Sequence, residues 1–203
     1  MALDEALLAA METGSAPALR VYRWERPAVS FGYFEAWAPV ARSHPEREPV
    51  RRWTGGGVVL HGNDWTYSVL VPRGHPFAAL RPEATYRLLH EALARTLCAE
   101  GEAVVLAPEA APRISPACFE NPVQSDLLAK GRKIAGAAQR RSRFGLLHQG
   151  SVLAVRDGAS MGTRFAAELA REVIPAPPTP DEIARAHHLA QTRYATAQWL
   201  RKR

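Results

Sequence analysis

Nowhere does the chain stay apolar long enough to cross a bilayer as a helix. Its longer apolar runs, such as GLLHQGSVLAV, are broken well short of the roughly 20 residues a spanning helix needs, so no membrane partner is expected. Cysteine is scarce: Cys98 and Cys118 are the only two among 203 residues, which leaves no disulfide framework. Neither C-x-x-C nor H-E-x-x-H spacing occurs, so no metal site is expected. The N-terminal stretch does not read as a secretory signal. The chain opens with Asp4 and Glu5 and no basic segment, which predicts a cytoplasmic protein. Internal repeats and heptads are absent. Acidic residues are in deficit, 20 against 26 lysines and arginines, giving a net charge of +6 that favours an acidic partner. Much of that excess lies in GRKIAGAAQRRSRFG and the closing RKR, and such a run reads either as a solvated face or as a binding surface. No aromatics interleave with it as a stacking platform for nucleic acid requires, so no nucleic-acid partner is expected.

What is present describes a globular chain, 47% apolar and 23% charged. Leu3, Leu7 and Met11 share one helical face ahead of Gly14, predicting a helix over 2–13. ALRVYRWE and AVSFGYF read as strands around Pro27, and WAPVARSHPEREP as a loop or short helix. Trp65, Tyr67, Val69 and Val71 alternate with Thr66, Ser68 and Leu70, a strand expected to pair with GVVL through the turn HGND. Tyr86, Leu89, Leu93 and Leu97 mark a helix ending at Gly101, and EAVVLA a strand after it. SDLLA, RKIAGAAQRR and LLHQGSVLAV read as an antiparallel meander turning at KG and RFG. Near the end, Thr179 and Glu182 form a capping-box pattern with Pro180 at the first helical position. Meandering strands with separate helices predict α+β organisation, and the length favours one unit over 1–203.

Three segments could carry chemistry. VRRWTGGGVVLHGNDWTYSVLVP is neither a P-loop nor a dinucleotide fingerprint, because its glycines open into a strand and not a helix. Residues without a β-carbon let a ligand lie against main chain and leave amide donors free, and Arg51 and Arg52 add positive charge suited to a carboxylate or phosphate. A flexible hairpin with incidental arginines is the plainer alternative. In GRKIAGAAQRR a strand puts Lys133, Ala135, Ala137 and Gln139 on one face, with small residues leaving room beside the ammonium. Cys118 lies in a proline-punctuated loop where a nearby cation such as Lys133 could activate it, whereas Cys98, on the long helix, is expected to pack as a small hydrophobe.

Together PAVSFGYFE, RRWTGGGVVLHGNDWTYSVLV, CFENPVQSDLLAKGRKIAGAAQRR, GLLHQGSVL and YATAQWLRKR resemble the biotin/lipoate protein ligase superfamily, in its lipoate ligase and octanoyltransferase branch. The resemblance covers nearly the whole chain. It implies a class II synthetase-like catalytic domain, a mixed β-sheet flanked by helices, without an accessory C-terminal domain. An acyl chain would lie beneath the glycine segment with its polar end among Arg52, His61 and Lys133. By the same resemblance Thr54, Gly55, Gly56, Gly57, Asp126, Gly136, Ala138 and His148 join Arg52 and His61 as substrate-binding residues, and Cys118 and Lys133 are catalytic. The implied activity moves an octanoyl or lipoyl group from acyl carrier protein through a Cys118 thioester to a lysine of a lipoyl-domain protein, either a glycine cleavage H protein or a 2-oxoacid dehydrogenase E2. That route needs no cofactor. The alternative within the superfamily is an ATP-dependent ligase using ATP and magnesium through an acyl adenylate, in which Cys118 is incidental. A non-catalytic acyl-binding adaptor is the third reading. Glu35 stands where relatives often have Gln, and Gly62 where an acid commonly follows the motif histidine, leaving Asp64 two positions on. Relatives usually have a strand before the first helix.

Overall fold

The computed structural model describes residues 1–111, 121–153 and 158–202. Its framework is two sheets. Six antiparallel strands run in the order β1-β5-β9-β8-β7-β6: β1 (Ala18–Tyr22), β5 (Trp65–Pro72), β9 (Gly145–Val152), β8 (Arg132–Ser142), β7 (Leu127–Ala129) and β6 (Val104–Leu106). A smaller mixed sheet has the order β3-β2-β4, with β2 (Ala28–Phe31) parallel to β3 (Glu48–Arg51) and antiparallel to β4 (Val58–His61). Helices flank these sheets, in keeping with the expected fold class.

The two faces of the large sheet do different work. Helices α4 (Pro82–Ala99) and α5 (Gly158–Leu169) cover one face, where Trp65, Tyr67, Val69, Val71, Leu146 and Val152 meet Leu89, Leu93, Leu97 and Phe165. Each such side chain contributes roughly 1.5–3 kcal/mol by leaving water. On the other face α1 (Ala2–Ala10) sets Leu8 against Leu70, Leu147 and Trp53. Being covered on both faces, β5 and β9 are buried at every residue, which is why neither shows a polar-out alternation. Helix α6 (Pro180–Leu189) lies against α1, where Arg193 and Tyr194, in the π-helical turn that follows, both bond the Glu5 carboxylate. The capping box of Thr179 and Glu182 opens α6, with Pro180 in its first turn.

The meander forms as expected, and its first turn has a local cause. Lys130 and Gly131 both take positive φ, 49° and 74°, the pairing a two-residue hairpin of matching twist requires. Elsewhere the structure corrects the reading. GVVL does not pair with the strand after HGND: β4 pairs with β2, and β5 lies between β1 and β9. The turn switches sheets because Asp64 folds back to accept from the Gly62 N–H and the His61 ring, and both neighbours of β5 are already taken. Strand β3, edged with Pro49, and helix α5 lie outside the expected elements, and residues 37–43 form helix α2. The first helix stops at Ala10, with Met11 already extended. Cys98 does not pack in the core; it is exposed at the end of α4. No helix among the described residues is long and apolar enough to cross a membrane.

Candidate functional site

The small sheet supplies one wall. Gly56 takes φ +83°, and its carbonyl comes so close to Gly32 that a β-carbon there would lie 1.9 Å from it. Gly32, part of the PAVSFGYFE segment but not among the expected site residues, is therefore what lets the glycine run lie against β2. The run turns carbonyls toward Arg52, whose Nη2 donates to Gly55 O at 3.0 Å and Gly57 O at 2.7 Å, while Nη1 donates to Ser30 Oγ at 2.7 Å. Arg51 does not share this wall, contrary to its expected place beside a ligand. It is buried, and its guanidinium donates to the carbonyls of Tyr33, Glu35, Trp199, Leu200 and Lys202, clasping the end of the chain to the loop after β2.

Behind Arg52 runs a buried polar chain. Ser30 Oγ lies 2.6 Å from His61 Nε2, and His61 Nδ1 lies 2.7 Å from Asp64 Oδ2. Thr66 and Ser151 hydroxyls donate to the same Asp64 oxygen, and the Gly62 N–H to the other. Burial pushes the His61 imidazole below its ordinary pKa by more than Asp64 restores. Burial alone would raise the Asp64 carboxyl, but its bonds from His61, Ser151 and Gly62 hold it well below the usual carboxylate range.

The large sheet supplies the opposite wall. Leu127 faces Ala135 and Leu128 faces Lys133, so Ile134 is an extra residue that puts Lys133 out of phase with Ala135. Ala135 enters the core under α4, whereas the Lys133 stem crosses Gly136, where a β-carbon would lie 2.4 Å from Cε and 2.7 Å from Nζ. This corrects the regular alternation expected for the strand. The space beside the small residues is partly filled by the lysine itself. Its ammonium sits 2.7 Å from Asp126 Oδ2, and Asp126 also accepts from the Val123 N–H and the Tyr86 hydroxyl. Burial and Asp126 keep the Tyr86 phenol protonated, able to donate to Asp126 while accepting from the Ala137 N–H.

Between the walls is a cavity of about 500 Å³, counted to its open side. Of the expected site residues, Arg52, Gly56, His61, Lys133, Gly136 and Ala138 line it together, with Tyr22, Trp24, Val59 and Ala137 as the less polar surface. Thr54, Gly55 and Gly57 stand behind this lining: Thr54 Oγ1 donates to Gln149 Oε1, and the two glycines hold Arg52. Asp126 holds Lys133 from outside the lining. His148 is not brought to the site. It projects from the other face of β9, buried between Tyr67 and Gln139, because the even-numbered residues of β9 turn toward α4. Cys118 lies outside the described residues. Ser30, Thr66, Gln149 and Ser151 line the cavity and were not among the expected site residues, since each is a single polar residue within a strand.

A β-bulged lysine facing a glycine run across a cavity, over a two-sheet α+β frame, defines a class. Residues 1–177 match the lipoyl protein ligase A/B catalytic domain, and the chain belongs to that family. Octanoyltransferase LipM of Oceanobacillus iheyensis is 39% identical over 159 residues, covering 75% of this chain and 58% of that protein. Octanoyltransferase LipM of Staphylococcus aureus is 36% identical over 166 residues, with 75% and 60% covered. The chain thus spans about three fifths of these relatives' length. In fold it is similar to lipoate-protein ligase A bound with ATP, at TM-score 0.78 and 21% identity over 98% of this chain and 91% of that one. It is likewise similar to the bipartite lipoate protein ligase of Thermoplasma acidophilum, at TM-score 0.74 and 20% identity over 98% and 89%.

Proposed function

We propose that this chain is an acyltransferase of protein lipoylation, moving an octanoyl or lipoyl group through a thioester on Cys118 to a lysine of a lipoyl-domain protein. The observation that carries it is the meeting of Gly56 and Lys133 across one cavity. The polar end of that cavity suits a thioester carbonyl. Lys133 stabilises charge developing on the acyl oxygen, and Asp126 fixes its ammonium. Tyr22, Trp24 and Val59 take up the acyl methylenes, each worth about 0.8 kcal/mol on leaving water. In the sequence Cys118 stands five residues before Val123, whose N–H donates to Asp126, the partner of the lysine. Arg52 and His61 line the end of the cavity that takes the polar head of the acyl donor, and acyl carrier protein is the donor this reading requires. The names of the LipM relatives support the activity, and the E2 lipoyl domain studied with the archaeal ligase supports the class of acceptor.

The test is intact mass after incubation with octanoyl carrier protein and no ATP. An octanoyl adduct that forms on the protein, vanishes in Cys118→Ser and discharges onto a lipoyl domain is the expected result. No adduct, with modification of the lipoyl domain only when ATP and magnesium are added, would replace this reading with the adenylate-forming one.

A further inference from the structure

We propose that Asp64, His61 and Ser30 form a proton relay that deprotonates the acceptor lysine as it attacks the activated acyl group, with the Ser30 hydroxyl as the group that touches the amine. The inference rests on the transfer reading above and adds a base to it that is separate from Lys133.

The wiring follows from hydrogen-bond chemistry. An ionised Asp64 can only accept, so the proton between Asp64 Oδ2 and His61 Nδ1 belongs to the imidazole. His61 Nε2 is then an acceptor, and at 2.6 Å the Ser30 hydroxyl must be its donor. Ser30 Oγ has two acceptor sites. One takes the N–H of Arg52 Nη1, which leaves the other for an amine that reaches the inner wall of the cavity, where Ser30 is buried. Ser30, His61 and Arg52 line the same cavity as Lys133, so an amine bonded to Ser30 stands in the chamber where the acyl carbonyl is held.

The proton path balances the reaction. The lysine nitrogen attacks the acyl carbon and the C–N bond forms. Its proton passes to Ser30 Oγ while the hydroxyl proton passes to His61 Nε2, giving an imidazolium beside the Asp64 carboxylate. The C–S bond then breaks, the thiolate of Cys118 departs with the electron pair, and the relay returns the proton to neutralise it. This requires no further reactant. Burial keeps the imidazole unprotonated at neutral pH, as a base must be.

The relay is also held more firmly than the fold requires. Asp64 accepts from the Gly62 N–H, Thr66 and Ser151 besides His61. The His61 ring stacks on Trp24 at 4.1 Å between centroids, and Trp24 Nε1 donates to Thr66 Oγ1. Two strands of the small sheet and two of the large one therefore fix one imidazole, an arrangement that packing alone would meet with apolar side chains. The charged groups facing His61 are Asp64 from its own turn, Arg52 after β3, and Arg47, which bonds the His61 carbonyl. Across the cavity stand Lys133 with Asp126, and from α1 the Met1 amino group with Asp4.

The test separates loading from discharge. The protein is octanoylated, freed of donor and mixed with a lipoyl domain, and the rate of acyl loss is followed by mass from pH 5.5 to 9. Ser30→Ala is expected to lower the ratio of discharge to loading by about 100-fold. Asp64→Asn, which removes the group that raises the imidazole pKa, is expected to move the acid limb of the discharge profile to lower pH as well as lower its plateau. Thermal melts show that each variant is folded. An unchanged ratio and unchanged acid limb in both variants would overturn the relay, since a structural role moves neither. An octanoyl adduct on Ser30 in Cys118→Ser would overturn it too, making Ser30 a nucleophile. Should the activated group prove to be an adenylate, the same ratio and profile are read from its discharge onto lysine, so failure of the thioester reading and failure of the relay are separate results.

Discussion

Two histidines mark the two faces of the large sheet. His148 projects from β9 toward α4 into a packed layer with Tyr67, Tyr86 and His90. His61 belongs to the small sheet and meets the opposite face at Thr66 and Ser151, through Asp64, where the sheets stand apart and leave a chamber. Burial lowers the pKa of both rings. The difference is what faces them. On the α4 side the helices close over the polar groups, while on the side that α1 covers only in part the two sheets leave a cavity in front of them.

The largest effect expected from this comparison is at Lys133. Lys133→Met should lower acyl transfer by roughly 100- to 1000-fold, measured as discharge onto a lipoyl domain. His148→Gln should move the melting temperature far more than the transfer rate. The reverse pattern would break the comparison.

Acid separates the faces next. His90 is fully buried, bonds Ser125 O through Nδ1, and has no hydrogen-bond partner for Nε2 among the described residues. Burial lowers its pKa to about 4 from 6.5. The unfolded chain then takes up the proton more readily than the folded one. Stability is therefore level above about pH 6.5 and falls by roughly 3 kcal/mol as pH drops toward 4. Urea titrations at pH 7.5 and 5 check this, and His90→Leu should flatten the difference.

Two glycines on adjacent strands sharpen the contrast. Gly136 lies under Lys133 on the cavity side, so Gly136→Ala pushes the lysine stem aside and should cost roughly 10- to 100-fold in transfer with little change in melting temperature. Gly150 faces the core, where a β-carbon would lie 2.3 Å from the Tyr67 ring. That ring is locked by packing, so Gly150→Ala should cost about 1–3 kcal/mol, read as a drop of several degrees.

Much of this was legible in the sequence because it is local. The meander could be read from its turns, the long helix from its spacing, and the α6 start from Thr179, Pro180 and Glu182. Arg52, Gly56 and Lys133 stood out by residue type and company and His61 by the family resemblance, and the fold brings all four to one cavity. Ser30 and Ser151 were not, because a serine in a strand has no local mark of what it faces. The partnership of β4 was misread, since a short turn between two strands implies a hairpin unless something outside the turn claims each strand.

By itself the sequence determined the strands and helices, the positive charge, and the motif residues of the family, because these depend on spacing and side-chain type within a few positions. Only the tertiary structure decided that HGND crosses between sheets, that an extra residue at Ile134 swings Lys133 over Gly136, that Arg51 clasps the chain end while Arg52 faces the cavity, and that His148 looks away from it. Each depends on which face of a strand meets which neighbour, and a single bulge or sheet switch inverts that choice without leaving a trace in composition or period.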